Sequence, residues 1–376
     1  MTERASYLLT PGPLSTAPAT RGAMGRDWGS RDDDFKALTA RVRSRLVDVA
    51  NGGDEFTCVP IQGSGTYAVE ATLGTLVPRS GKALVLVNGS YGQRMARMCQ
   101  VLGRSYAVYE TDEDAPPVPA RLDEILADEP SVTHVAVVHC ETTSGILNPL
   151  EEIADVVARR GRRLVVDAMS SFGALPLDAR ALKCDAVVAS ANKCLEGVPG
   201  IGFAVLRKTA LAHCKGNAHS LSLDLHDQWQ GFERTGEWRY TPPTHVLAAF
   251  DAALAAHAAE GGVAGRGSRY ARNCRVLVAG MRRLGFETFL PDALQAPIIV
   301  TFHVPADERF DFRAFYDALH ARGYVIYPGK LTRMPSFRIG CIGQVDQTVM
   351  AGAVAAVGEV AREMGLRTFG RARAEA

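Results

Sequence analysis

Asp167 closes the apolar run Leu164-Val165-Val166. Lys193 follows 26 residues later in Ser190-Ala191-Asn192-Lys193, just past a second apolar run at 186–189. A carboxylate at the inner end of a buried strand is costly to ionise unless a cation meets it, and a protonated aromatic nitrogen is such a cation. A lysine held away from water and near other positive charge loses basicity, so its amine becomes usable as a nucleophile and as a proton carrier. The pair suits an aromatic ring that is charged at its nitrogen by Asp167 and tethered as a Schiff base to Lys193. A carboxylate that merely caps a turn and a lysine on a solvated face are the plain alternatives.

Gln62-Gly63-Ser64-Gly65-Thr66 leads into a helical stretch. Its glycines let backbone amides approach an anion, Ser64 and Thr66 add hydroxyl donors, and the helix start adds partial positive charge, which fits one phosphate. The same residues satisfy Gly-x-Gly-x-x-Ala, the mark of a dinucleotide site. Such a site expects an acid after the next strand, and here Val85-Leu86-Val87 ends in Asn88. A ring with an aldehyde, a basic nitrogen and a single phosphate is pyridoxal 5'-phosphate. Tyr91, in Asn88-Gly89-Ser90-Tyr91-Gly92, can stack on such a ring. Thr142, in His139-Cys140-Glu141-Thr142-Thr143-Ser144-Gly145, can bond a ring oxygen, and Met169 can cover a ring face; Tyr91 and Met169 also read as ordinary core. Arg338, in Ser336-Phe337-Arg338-Ile339-Gly340, offers a fixed fork to a carboxylate or a phosphonate, with a structural salt bridge as the alternative. Tyr240-Thr241-Pro242-Pro243-Thr244 is a rigid extended segment of the kind that reaches a neighbouring subunit's site, or a simple helix cap.

The chain that must position these groups has 376 residues, enough for two cores, with 42 Lys and Arg against 41 Asp and Glu. That balance gives no sign of a nucleic acid or an anionic membrane as partner. No apolar run reaches the ~18 residues of a membrane span, and the opening residues carry too short an apolar run for a signal peptide, so a cytoplasmic enzyme is expected. Eight scattered cysteines without Cys-x-x-Cys read as reduced thiols, and no metal site is expected. Strand-like runs at 83–87, 132–138, 164–166, 186–189 and 201–206 alternate with helical patterns at 66–76, 91–102, 121–127 and 151–158. This is the order of a mainly parallel sheet in an α/β domain. Two long helices at 244–259 and 263–284 then precede a smaller α+β tail. The division expected is an arm over 1–20, a large domain over 21–245 and a small domain over 246–376.

At this point the motifs match a known family. The chain resembles the class V, fold type I pyridoxal-phosphate aminotransferases from Tyr7 to Gly340. Besides the segments above, Val166-Asp167-Ala168-Met169-Ser170-Ser171-Phe172-Gly173, Ser220-Leu221-Ser222-Leu223-Asp224-Leu225 and Val325-Ile326-Tyr327-Pro328-Gly329-Lys330 carry the likeness. The resemblance implies a seven-stranded, mainly parallel sheet and a homodimer with active sites at the subunit boundary. It implies that Lys193 bears the cofactor, that Asp167 meets its ring nitrogen, and that Ser64, Gly65 and Thr66 hold its phosphate together with Tyr240 and Thr241 of the other subunit. By the same likeness Tyr91 stacks on the ring, Thr142 bonds near its phenolic oxygen, Asn192 precedes the lysine in the phosphate-side turn, and Arg338 grips the substrate anion. The reaction implied moves the amino group of 2-aminoethylphosphonate to pyruvate, giving phosphonoacetaldehyde and L-alanine; the rival substrates are those of alanine-glyoxylate or serine-pyruvate exchange. Two departures stand out: Trp28-Gly29-Ser30-Arg31 before the aspartates at 32–34, and Tyr91 where more distant relatives often carry tryptophan.

Overall fold

A computed structural model describes residues 6–370. Seven strands build the central sheet: β1 (Phe56–Gln62), β2 (Lys82–Val87), β3 (Ser105–Glu110), β4 (Val132–Val138), β5 (Arg163–Asp167), β6 (Ala186–Ser190) and β7 (Ile201–Arg207). Their order across the sheet is β1-β7-β6-β5-β4-β2-β3. Only β7 runs against its neighbours, pairing antiparallel with both β1 and β6, so the seven-stranded, mainly parallel sheet expected is the one found.

Alternation along the strands sends apolar side chains to both faces, and each face is roofed by helices. Leu84, Leu86, Val135, Val137, Leu164, Val166, Val187 and Phe203 face one core. That core is shared with α1 (Asp33–Val49), α4 (Pro119–Asp128), α5 (Leu150–Arg159) and α7 (Thr244–Ala259). Val85, Val87, Ala136, Val138, Val165, Val188 and Ala204 face the other, under α2 (Gly65–Leu76), α3 (Ser90–Val101) and α6 (Leu225–Thr235). The chain steps outward from β2 to β3, then inward from β4 through β6, so connections diverge between β2 and β4. In an open α/β sheet that divergence leaves a crevice at the carboxyl ends of the strands, where a ligand can enter.

The last third forms its own core around a three-stranded antiparallel sheet of β8 (Ile299–His303), β9 (Tyr327–Pro328) and β10 (Ser336–Gly340), with β10 in the middle. Helices α8 (Gly262–Leu284), α9 (Phe312–Ala321) and α10 (Gln347–Glu363) pack on it through Leu277, Met281, Phe315, Leu319, Met350 and Val357. Helix α7, by contrast, places Leu247, Phe250 and Leu254 in the large-sheet core.

The opening segment is threaded through this tail. Tyr7–Leu8 pairs in parallel with Tyr324–Val325, Leu9 N–H donates to the Val325 carbonyl, and Gly340 N–H donates to Leu9. A Cβ at Gly340 would fall 2.4 Å from the Thr10 carbonyl oxygen, so this approach requires glycine. Among the described residues no single helix is long and apolar enough to cross a membrane.

Candidate active site

The crevice is built from five strand exits. After β1, Gly63 takes φ +126° and donates its N–H to Gly200, which turns the chain into α2 with Ser64 at its N-cap. The Ser64 side chain makes no capping bond, leaving its hydroxyl and the first amides of α2 for an incoming group. Gly65 is buried and Thr66 half-buried, and Arg94 Nη1 donates to Thr66 Oγ1 at 3.2 Å. Close packing makes this cradle rigid: a Cβ at Gly202 would lie 2.8 Å from the Ala68 Cβ and 3.0 Å from the Ser64 carbonyl oxygen.

After β2, Tyr91 stands in the first turn of α3, half-buried, with the Arg94 guanidinium 4.9 Å and the Lys330 ammonium 5.6 Å from its ring centre. What fixes that ring is Glu141, fully buried after β4. Its carboxylate accepts from Tyr91 N–H at 3.0 Å, Gly92 N–H at 3.4 Å and both the amide and hydroxyl of Thr143. Burial raises the Glu141 pKa, against the pull of those four donors. Next to it the Thr142 hydroxyl is buried without a hydrogen-bond partner.

Asp167 ends β5 and Lys193 lies just beyond the neighbouring β6, so the parallel pairing of the two strands carries both groups to one rim. The Asp167 carboxylate is 5% exposed, and its one hydrogen bond comes from Met169 N–H at 2.9 Å. Burial pushes its pKa up to about 6, opposed by that amide and by Lys193. The Lys193 amine is shifted the other way, lowered chiefly by burial, with Asp167 pulling it up and Arg338 pushing it down. These two groups thus feel one another in a shared, water-poor pocket. Met169 leans over the cradle, its sulfur 2.2 Å from where a Gly65 Cβ would be. Gly65, Thr66, Tyr91, Arg94, Asp167 and Met169 line one small cavity.

The third wall comes from the tail and the opening segment. Arg338, 1% exposed on β10, donates through Nη1 to the Thr142 carbonyl at 2.7 Å and through Nε to the Pro328 carbonyl at 3.1 Å. Among the described residues no carboxylate lies within ion-pair distance of it, and Glu141 acts on it only electrostatically, so a direct salt bridge is not how it is held. Lys193 Nζ donates to the Pro11 carbonyl, and a Cβ on Gly12 would lie 2.7 Å from Lys193 Cδ. The Thr10-Pro13 turn is therefore a lid seated on the lysine.

Asn192 is half-buried beside Lys193. Tyr240 is 43% exposed and Thr241 is exposed; the Tyr240 hydroxyl accepts from Arg239, and neither residue lines the small cavity at the cradle. A larger cavity of about 1120 Å³ lies elsewhere, between α5, the 174–182 segment and α8, with His139 among its lining residues. Its size does not make it the site, because it contains neither Asp167 nor Lys193.

A model of the aminotransferase class-V family matches residues 19–349. The chain belongs to the class-V aminotransferases. It is 57% identical over 360 residues, 96% of this chain and 98% of the other, to a 2-aminoethylphosphonate–pyruvate transaminase of Pseudomonas putida. The match to 2-aminoethylphosphonate–pyruvate transaminase 1 of a Polaromonas species is 57% over 364 residues, covering 96% and 97% of the two chains. Among solved structures, ureidoglycine-glyoxylate aminotransferase from Bacillus subtilis superposes with a TM-score of 0.89 at 20% identity, over 98% of this chain and 96% of that one. Alanine–glyoxylate aminotransferase from a Nostoc species gives 0.89 at 23%, over 96% of each. At those identities the likeness concerns the fold.

For a class-V aminotransferase the residues that sequence reasoning passed over are instructive. Glu141 was visible within a recognised motif, yet its task of fixing the start of α3 depends on contacts 50 residues away. Ser190 closes β6 with a buried hydroxyl that has no partner. Its place three residues before Lys193 was the available signal. Arg94, a turn beyond Tyr91, was not singled out, and it reaches the Thr66 hydroxyl.

Proposed function

We propose that this class-V aminotransferase moves the amino group of 2-aminoethylphosphonate to pyruvate, yielding phosphonoacetaldehyde and L-alanine, in two half-reactions on pyridoxal 5'-phosphate. The supporting observation is the 57% identity over almost the whole chain to transaminases of that name. Alanine–glyoxylate exchange is the second reading, and its structural relative shares only 23% identity.

The residues present fit the cofactor. A buried carboxylate without a cation in hydrogen-bonding contact, two buried hydroxyls without partners at Thr142 and Ser190, and a glycine cradle at a helix start are complementary to a pyridinium, a phenolic oxygen and a phosphate. When bound, the group supplies an electron sink for the pair left behind as the substrate carbon loses its proton.

In this reading Lys193 carries the cofactor through its amine. With the cofactor bound, the Lys193 amine, made less basic by burial, would be the group that accepts and gives back the proton at Nζ. Asp167 keeps the ring nitrogen charged, at a site where burial disfavours a bare carboxylate. Ser64, Gly65 and Thr66 hold the phosphate, with Asn192 beside them and Tyr240 and Thr241 supplied by the other subunit of a homodimer. Tyr91 and Met169 would pack against the ring, and the Thr142 hydroxyl would serve its phenolic oxygen. Arg338 receives the phosphonate and then the pyruvate carboxylate, using the N–H groups that Thr142 and Pro328 leave free. A cytoplasmic location accords with eight buried cysteines that are all free thiols.

The test is an amino-donor panel with pyruvate on purified holoenzyme, following alanine formed. Strong turnover of 2-aminoethylphosphonate with little from serine or glycine is the expected outcome. Preference for a carboxylate-only donor would overturn the assignment.

A further inference from the structure

A phosphonate differs from a carboxylate by a third oxygen and, at mildly alkaline pH, a second negative charge. Arg338 is poorly equipped to meet that difference alone. Its Nε and one Nη1 hydrogen are committed to backbone carbonyls, which leaves Nη2 and the second Nη1 hydrogen. That remainder can satisfy the two oxygens of a carboxylate. The single positive charge of Arg338 leaves a dianion with about one charge unmet, and a buried unmet charge is expensive.

A second cation stands close by. Lys330 lies two residues after Pro328, whose carbonyl holds Arg338, and its ammonium is 5.6 Å from the centre of the Tyr91 ring. Tyr91 also interacts electrostatically with Arg338 and with Lys193, so Lys330 shares this ring as a neighbour with the cations of the pocket. Among the described residues no carboxylate and no hydrogen-bond acceptor pairs with Lys330. The segment that bears it is pinned at both ends. Gly329 N–H donates to Ser336 at its base, while Thr332 N–H and Oγ1 donate to Glu113 and Arg333 pairs with Asp112 across the cleft. A strap anchored to both domains thus holds an unpaired ammonium over the mouth. Arg94, the other cation against Tyr91, is turned toward Thr66 and the phosphate cradle instead.

We propose that Lys330 is the second anion-binding residue of the substrate pocket and that it, rather than Arg338, discriminates a dianionic phosphonate from a monoanionic carboxylate. The inference rests on the phosphonate reading above and names the part of the chain that would enforce it. By charge count Arg338 serves both substrates, whereas Lys330 has a task only for the one that carries more charge.

The experiment uses intact holoenzyme with Lys330→Ala and Lys330→Arg. Calorimetry measures affinity for ethylphosphonate and propionate, which share a backbone and lack the reacting amine, and steady-state assays give KM and kcat for 2-aminoethylphosphonate and L-alanine. Lys330→Ala should weaken ethylphosphonate about tenfold or more, the order of one charge-assisted hydrogen bond, while propionate changes less than about twofold. KM for 2-aminoethylphosphonate should rise alone, kcat should hold, and Lys330→Arg should restore most of the affinity. Equal losses for both anions, or none for either, would overturn the proposal. Wild-type enzyme that ignores 2-aminoethylphosphonate would instead sink the phosphonate reading itself, so the two failures are separable.

Discussion

Asp167 and Lys193 are held in charge states that the bare protein resists, and each makes a measurable demand. Replacing Lys193 by Ala should remove transamination, seen as loss of alanine formation, with an unchanged circular dichroism spectrum; activity near wild type would count decisively against its role. Asp167 makes a prediction about stability instead. Its carboxyl titrates near 6 in the fold against 3.8 for the ordinary group, because of burial. The native, cofactor-free protein therefore holds more protons than the unfolded chain between those values. Its stability falls as pH rises through that window, and the deficit, about 3 kcal/mol at most, persists above it. Cofactor-free Asp167→Asn should accordingly melt higher than wild type at pH 8 and alike near pH 4, while binding the cofactor less well, seen as weaker visible absorbance. A variant that melts lower at pH 8 would show that the carboxylate is stabilised by something else. Arg338→Ala should raise KM for both anionic substrates by one to three orders of magnitude, roughly the worth of a charged hydrogen-bonded contact. Unchanged kinetics for both would remove Arg338 from the pocket. At this scale the sequence was informative, since residue type and strand position located the pair. The orphan hydroxyl of Ser190 and the reach of Arg94 were not legible, because both depend on where a neighbouring element comes to lie.

Elements were legible where burial on both faces leaves a continuous apolar run, as in β4, which spans 132–138 in sequence pattern and structure alike. Two strands of the large sheet escaped for opposite reasons. β3 is the sheet's outer strand, with side chains mostly exposed or half-exposed, so no apolar run announces it. β1 is buried almost throughout but contains Pro60, which usually excludes a strand. It is admitted because β1 is the other edge, where a residue need not donate to a second neighbour. Helix α6 was missed too, although Asp224 caps it by accepting from Asp227 N–H at 3.0 Å. Gly340 is the glycine that lets the opening segment lie against β10. Gly340→Ala should cost about 1–3 kcal/mol by overpacking, read as a lower melting temperature, and should loosen the turn over Lys193. Wild-type stability would mean that the Thr10 backbone moves aside freely.

The whole molecule presents a site that one chain does not complete in this reading, since Tyr240 and Thr241 do not line the cavity at their own cradle. Complementation tests it. Co-expression of Lys193→Ala chains with chains carrying Tyr240→Ala and Thr241→Ala should recover about a quarter of wild-type activity, because half of the dimers are mixed and each holds one intact site. No recovery above the two variants alone would argue that each chain supplies its own phosphate contacts. Sequence reasoning could anticipate a two-part chain but not the route by which Tyr7–Leu8 reaches Tyr324–Val325, since pairing over three hundred residues apart leaves no local trace. That route also sets a timetable for biosynthesis. Segments emerge from the ribosome in order and nearby ones associate first, so the large sheet can form while the earliest residues still lack their partner strand. Lys193 then waits uncovered until nearly the entire polypeptide has been made, which gives the nascent enzyme an open door through which its cofactor can enter.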